Sequence, residues 1–195
     1  MHFVCIFGPP AVGKMTVGHE LTRLTGYKLF HNHLTIEPFL GIFEFGSPSF
    51  NRLSGEFRWR VVEEAIESGL PGLVFTFVWG LELVGERDFM ARFVDLVEGA
   101  GGRVSFVELV APLDVRLARN STDFRLDHKR SKRDREFSDT NVVELEEYVM
   151  NTGGEPTVAE ELFVGRDHLR IDNTELSAQD AAARIVRELG LDRPA

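Results

Sequence analysis

The chain of 195 residues holds one cysteine, Cys5, so no disulfide can close within it. Cys5 lies in the apolar run Phe3-Val4-Cys5-Ile6-Phe7, where a buried small hydrophobe outweighs a redox role. No apolar run approaches the roughly 20 residues of a membrane span. The N-terminus lacks the charged segment and long apolar stretch of a secretion signal. The expectation is a cytoplasmic chain with no membrane partner. Basic residues are also in short supply: 22 against 31 acidic ones, and 22 − 31 leaves −9. That balance excludes a general nucleic-acid binder, because a phosphate backbone rewards the opposite sign. No internal repeat, low-complexity tract or dividing linker is visible, so residues 1–195 read as one domain.

What is present begins with Gly8-Pro9-Pro10-Ala11-Val12-Gly13-Lys14-Met15-Thr16. It stands between the apolar run and a segment whose Val17, Leu21 and Leu24 share a helical face. Strand, glycine-bounded loop with a lysine, then helix is the context of a phosphate-binding loop, the Walker A pattern. Gly8 and Gly13 let the backbone curl so that successive N–H groups point into one concavity, and the helix N-terminus adds its positive end. Lys14 supplies a point charge for the terminal phosphates of a nucleotide. The usual pattern has Ser or Thr directly after the lysine to hold magnesium; here Met15 intervenes and Thr16 follows.

Strands are predicted over Phe3–Phe7 and Leu73–Val78 as buried apolar runs, over Tyr27–His31 and Val104–Val110, and over the alternating His168–Asp172. Helices are expected over 14–25 with Gly26 as the stop, around Phe89 to Val97, from Asp114, from Ser138 or Asp139 through Met150, over 157–164, and after the capping box of Ser177 and Asp180. Between Leu34 and Ser68 the spacing predicts two or three short helices broken near Gly46-Ser47-Pro48. Alternation of strand and helix from end to end argues a three-layer α/β/α fold on a five-stranded parallel sheet. Its chemistry belongs at the carboxyl ends of the strands.

With this loop and element order, the chain resembles the nucleoside monophosphate kinase and shikimate kinase-like branch of P-loop NTPases. The likeness covers nearly the whole length. Adenylate kinases carry Gly-Lys-Gly-Thr where Gly13-Lys14-Met15-Thr16 stands, with threonine in the same second position after the lysine. The resemblance implies an ATP-dependent (or other NTP-dependent) kinase using Mg²⁺, acting on a small-molecule acceptor. Gly8, Pro10, Ala11, Val12, Gly13, Lys14, Met15 and Thr16 would cradle phosphate, with Thr16 on the metal side. It also implies an acceptor-binding insertion over 34–68 and a lid over 120–138. The stretch Arg125 to Arg135 holds six Lys or Arg against two Asp, a local 6 − 2 = +4, which is either a solvated face or that lid. Arg119 resembles the family arginine that lies against the adenine ring. Arg125 and Arg130 are the candidates for catalytic phosphate contacts, with Lys132, Arg133 and Arg135 behind them.

The acceptor side is less standard. Shikimate and gluconate kinases place an Asp-x-Asp pair just after the second strand, where this chain has His31-Asn32-His33. On an extended segment both histidines point the same way; two ligands alone make no metal site, but a neutral His31 or His33 could orient a hydroxyl or accept its proton. Otherwise they are surface loop residues. Arg58 or Arg60 is a candidate grip on an anionic group, with a surface salt bridge as the alternative. Trp79 is a candidate pocket wall, with a core position as the alternative. No acidic residue ends the third strand, Glu82 being the nearest. Asn173, in the turn Asp172-Asn173-Thr174, resembles the loop that frames the base. A nucleotide-binding module or slow ATPase without an acceptor, and a degenerate non-catalytic form, are the rival readings.

Overall fold

A computed structural model of the protein describes residues 1–120, 140 and 142–191. Five strands, β1 (His2–Phe7), β2 (Lys28–His31), β3 (Gly72–Phe77), β4 (Arg103–Val110) and β5 (Asp167–Asp172), pair in parallel in the order β2-β3-β1-β4-β5. The helices are α1 (Lys14–Thr25), α2 (His33–Leu40), α3 (Pro48–Glu67), α4 (Val84–Gly99), α5 (Leu113–Asn120) and α6 (Ala178–Leu189). The strand alternation of β1 builds both faces at once. Phe3, Cys5 and Phe7 enter one fully buried cluster with Phe75, Phe93 and Phe106. Val4 and Ile6 enter the other with Leu21, Ile171 and Ile185. Every residue of β1 is buried, which is why this strand reads as an unbroken apolar run rather than as an alternating one.

Local sequence sets the ends of the helices. α1 opens at Gly13 (φ 108°) and closes at Gly26 (φ 77°), whose N–H reaches Thr22 O at 2.8 Å; both positions need the left-handed backbone that glycine adopts without a Cβ clash. α3 starts where Ser47 Oγ accepts from Phe50 N, with Pro48 in the first turn. At α6 Ser177 Oγ accepts from Asp180 N and donates to Asp180 Oδ2. Three expectations are corrected. The acceptor-side helices are one of 8 residues and one of 20, not a set of short ones. Asn32 is α-helical (φ −50°, ψ −37°), so His31-Asn32-His33 is not an extended tripeptide and His33 already belongs to α2. The helix expected through Met150 gives way to a 3₁₀ turn at Leu145–Glu147, with non-helical backbone following; Ser138 and Asp139 lie outside the described residues.

Two buried groups make stability depend on pH. His2 Nε2 lies 2.8 Å from Ser105 Oγ. Burial, helped by Arg103 and opposed by Asp167, lowers its pKa from 6.5 to about 4. The unfolded chain therefore takes up this proton at a higher pH than the folded one, so stability falls as pH drops from 6.5 toward 4. Glu108, fully buried at the end of β4, is pushed up by burial. Hydrogen bonds from His168, Thr152 and Asn151 outweigh that push and hold it below the usual carboxylate value. Its contribution is complete above the unfolded carboxylate range and is lost as pH falls through the folded value. Thermal melts from about pH 7 to about pH 4 should show a steady loss of Tm. His2→Gln should remove the part between 6.5 and 4; an unchanged slope in that variant would contradict the assignment.

Candidate functional site

The carboxyl ends of the strands open into a cleft of about 780 Å³. Its floor is the loop that leaves β1. Gly8 has φ 133° and Gly13 φ 108°, and between them Ala11 takes φ 62°, a conformation rare for a side-chain-bearing residue. The loop is thereby curled, and the first-turn N–H groups of α1 at Lys14, Met15 and Thr16, which have no intrahelical acceptor, face its mouth. Lys14 Nζ donates to Gly8 O at 2.6 Å and Pro9 O at 2.7 Å. The ammonium thus sits over the concavity of the loop. Pro10, Ala11, Val12, Gly13, Lys14, Met15 and Thr16 all line the cleft; Gly8 lies behind it. Met15 is 8% exposed, so its side chain serves packing and leaves its backbone N–H to the loop.

Beside the loop, Asn173 follows β5. It is buried, its Nδ2 donates to Val12 O at 2.9 Å and its N–H to Val110 O at 3.0 Å. Arg119, at the end of α5, donates to Val12 O (3.2 Å), Asn173 O (2.7 Å) and Thr174 O (3.0 Å). The two residues foreseen on the base side therefore meet and staple the loop after β1 to the β5 turn. Arg116 is a strut that sequence reasoning missed. Only 3% exposed, it donates to Ala111 O and Pro10 O and pairs with Glu146 at 2.6 Å. Its partner lies 30 residues away, a separation that no local pattern reveals.

Opposite the loop stand His31, at the end of β2, and Asn32 and His33, entering α2. The His31 ring centroid is 6.5 Å from that of His33 and 6.4 Å from that of His19, and His33 Nδ1 is 3.7 Å from Glu37 Oε1. Among the described residues no group of three His, Cys, Asp or Glu side chains could hold a metal ion. Arg58, projecting from α3, donates from Nε to Thr35 Oγ1 (2.8 Å) and from an Nη to Asn32 Oδ1 (2.6 Å). Its guanidinium carbon lies 6.0 Å from the Phe77 ring centre and 5.8 Å from that of Phe89. Burial lowers its pKa to about 10, and Glu86 pulls the other way. Among the described residues no carboxylate lies within 4.0 Å of Arg58, so this is not the surface salt bridge that was its alternative. Glu86 lines the cleft as well. Burial raises its pKa, with Glu82 adding to the rise, while the Gly80 N–H at 2.7 Å and Arg58 oppose it.

Two expectations change here. Trp79 is not a cleft wall: it is fully buried, edge-on to Phe7 at 5.3 Å and to Phe163 at 5.8 Å. Glu82, the acid nearest the end of β3 in sequence, turns away to accept from Val149 N at 3.0 Å; the acid at the cleft is Glu86, one turn into the next helix. Signal for Glu86 existed in its place in the first turn of α4, though not in its distance from the strand. Arg125, Arg130, Lys132, Arg133 and Arg135, and nearly all of the expected lid, lie outside the described residues.

No family model matches the chain, and no curated protein matches it. Solved structures do. A shikimate kinase from Acinetobacter baumannii, in complex with shikimate, superposes with a TM-score of 0.57 at 21% identity, over 96% of this chain and 92% of that one. A sugar kinase from Janibacter sp. HTCC2649 gives 0.58 at 14% identity, over 98% and 95%. The Deinococcus radiodurans tunicamycin resistance protein gives 0.56 at 18% identity, with each chain covered in full. The fold is that of a P-loop α/β protein, five parallel strands flanked by helices. The chain shares that fold with the shikimate kinase and the sugar kinase.

Proposed function

We propose that the protein transfers the γ-phosphoryl group of ATP to a small acceptor bearing a hydroxyl or phosphate group. One observation carries the reading. A curled loop capped by Lys14 and a half-buried Arg58, with no carboxylate within 4.0 Å among the described residues, line the same cleft, with His31 and His33. The loop N–H groups bind the triphosphate. Lys14 moves its ammonium from the Gly8 and Pro9 carbonyls onto the β- and γ-phosphate oxygens, and stabilises the charge that spreads over them during transfer. The acceptor oxygen forms its bond to γ-phosphorus as the β–γ bridging bond breaks. ADP departs with that bridging oxygen, and the acceptor proton passes to the imidazole of His31 or His33.

The residues present suit a magnesium ion held chiefly by water and phosphate oxygens. Thr16 contributes one hydroxyl to the cleft, and Met15 contributes no oxygen. When bound, the ion would neutralise phosphate charge; Thr16 is the residue that would face it. Arg119 and Asn173, joined to each other and to Val12, would fix the loop against the base, and Arg125 and Arg130 would close over the phosphates from a lid over 120–138. Residues 34–68 would serve as the acceptor-binding part of a single kinase domain working in the cytoplasm. Among the described residues no helix is long and apolar enough to cross a membrane.

The test is whether ATP consumption depends on the acceptor. ADP release followed across sugars, hydroxy acids and larger alcohols should rise sharply with one class of compound. One slow rate, whatever molecule is added, would favour a nucleotide-binding module with weak ATPase activity instead.

A further inference from the structure

The far half of the cleft has the wrong walls for a polyol. Ile36 and Leu40 lie one turn apart on α2, Phe50 faces them from α3, and Phe77 and Leu83 close the other side. At the mouth Phe45 is 64% exposed, its ring centre 5.1 Å from that of Phe50. An aromatic ring left in water beside a half-apolar cleft is the kind of feature that marks a ligand site. Arg58 holds Asn32 and Thr35 at the inner end; beside Phe50 the polar lining is Asn51, whose Nδ2 already donates to Gly46 O, and Ser54, whose hydroxyl donates to Asn51 O. A sugar acid carries a hydroxyl on nearly every carbon, and each one buried without a partner costs about 1–3 kcal/mol. The apolar walls offer such hydroxyls nothing. The same walls reward apolar surface at about 25 cal/mol per Å².

We infer that the acceptor is an amphiphilic alcohol. Its hydroxyl-bearing end reaches toward His31 and Arg58, and an aromatic or branched aliphatic body lies against Ile36, Leu40, Phe45 and Phe50. The inference rests on the phosphotransfer reading of the same cleft and adds the chemical class of its substrate.

The full chain, saturated with ADP and magnesium, is titrated with 4-methylumbelliferyl β-glucoside and separately with glucose and gluconate. The aryl glycoside is expected to bind at least about tenfold tighter than either polyol, the least that burying one ring should yield. In Phe45→Ala, a substitution at an exposed ring that the fold tolerates, the ratio of aryl-glycoside to gluconate affinity should fall about tenfold. The ADP-induced rise in Tm serves as the internal measure of folding. Equal or tighter binding of the polyols, or a ratio indifferent to Phe45→Ala, overturns the inference and leaves phosphotransfer standing. Failure of ADP to raise the Tm of the unaltered chain would overturn the donor site instead.

Discussion

Lys14→Ala is expected to lower acceptor-dependent ADP release by about 10²–10³-fold, the usual loss when one preorganised donor to a developing charge is removed. The lysine ammonium faces the loop concavity, held by Gly8 O and Pro9 O. Both carbonyls can turn to water when it is gone, so the fold should lose no more than about 1 kcal/mol. Lys14→Arg keeps the charge but replaces a point donor with a planar fork, and should recover little of the rate. Circular dichroism and Tm close to the parent would accompany the kinetic loss. Full activity in Lys14→Ala would sink the phosphotransferase reading.

Gly8→Ala should have the second large effect, this time on folding as well as on binding. Gly8 has φ 133°, and a Cβ added there would run into the backbone oxygen of Leu109. The obstacle is main chain of β4, paired with β1 through Phe7 and Glu108, so no rotamer change relieves it. Strain and overpacking together should cost about 2–4 kcal/mol, and the nucleotide-induced rise in Tm should disappear as the loop recoils. Gly26→Ala is the natural control. Its φ is 77°, but nothing lies within 4 Å of the added atom, so only the left-handed backbone penalty of about 1–2 kcal/mol remains and nucleotide binding persists. Equal effects at the two glycines would show that the close approach to Leu109 is not what holds the loop.

Features written in short-range chemistry were legible in the sequence. α1 begins and ends where its two glycines said it would, and the capping serine and aspartate set α6. Each strand was found within two residues of its bounds; β1, β3 and β4 are buried parallel strands that read as apolar runs, while β5 showed itself by alternation. The curled loop between β1 and α1 needed only strand, glycines and helix in succession. Long-range choices were not legible. Trp79 follows β3 by two residues, and which way it turns is decided by Phe7, Phe106 and Phe163, three separate parts of the chain. Asn32, at the start of α2, has its side chain held by Arg58 of α3, 26 residues on, and its N–H by Thr76 of β3. Glu108 holds Asn151, Thr152, His168 and Arg170 around one carboxylate; from sequence it was simply one polar residue in a strand.

The central claim is that a phosphoryl group leaves ATP for a small organic molecule. Label transfer tests it most directly: the full chain is incubated with ATP carrying radioactive γ-phosphate, magnesium and pooled small-molecule alcohols, and the products are separated by charge. Label is expected in an organic phosphate ester, formed in step with ADP and absent with Lys14→Ala. Label recovered only as inorganic phosphate, at a rate that no alcohol changes, would contradict it.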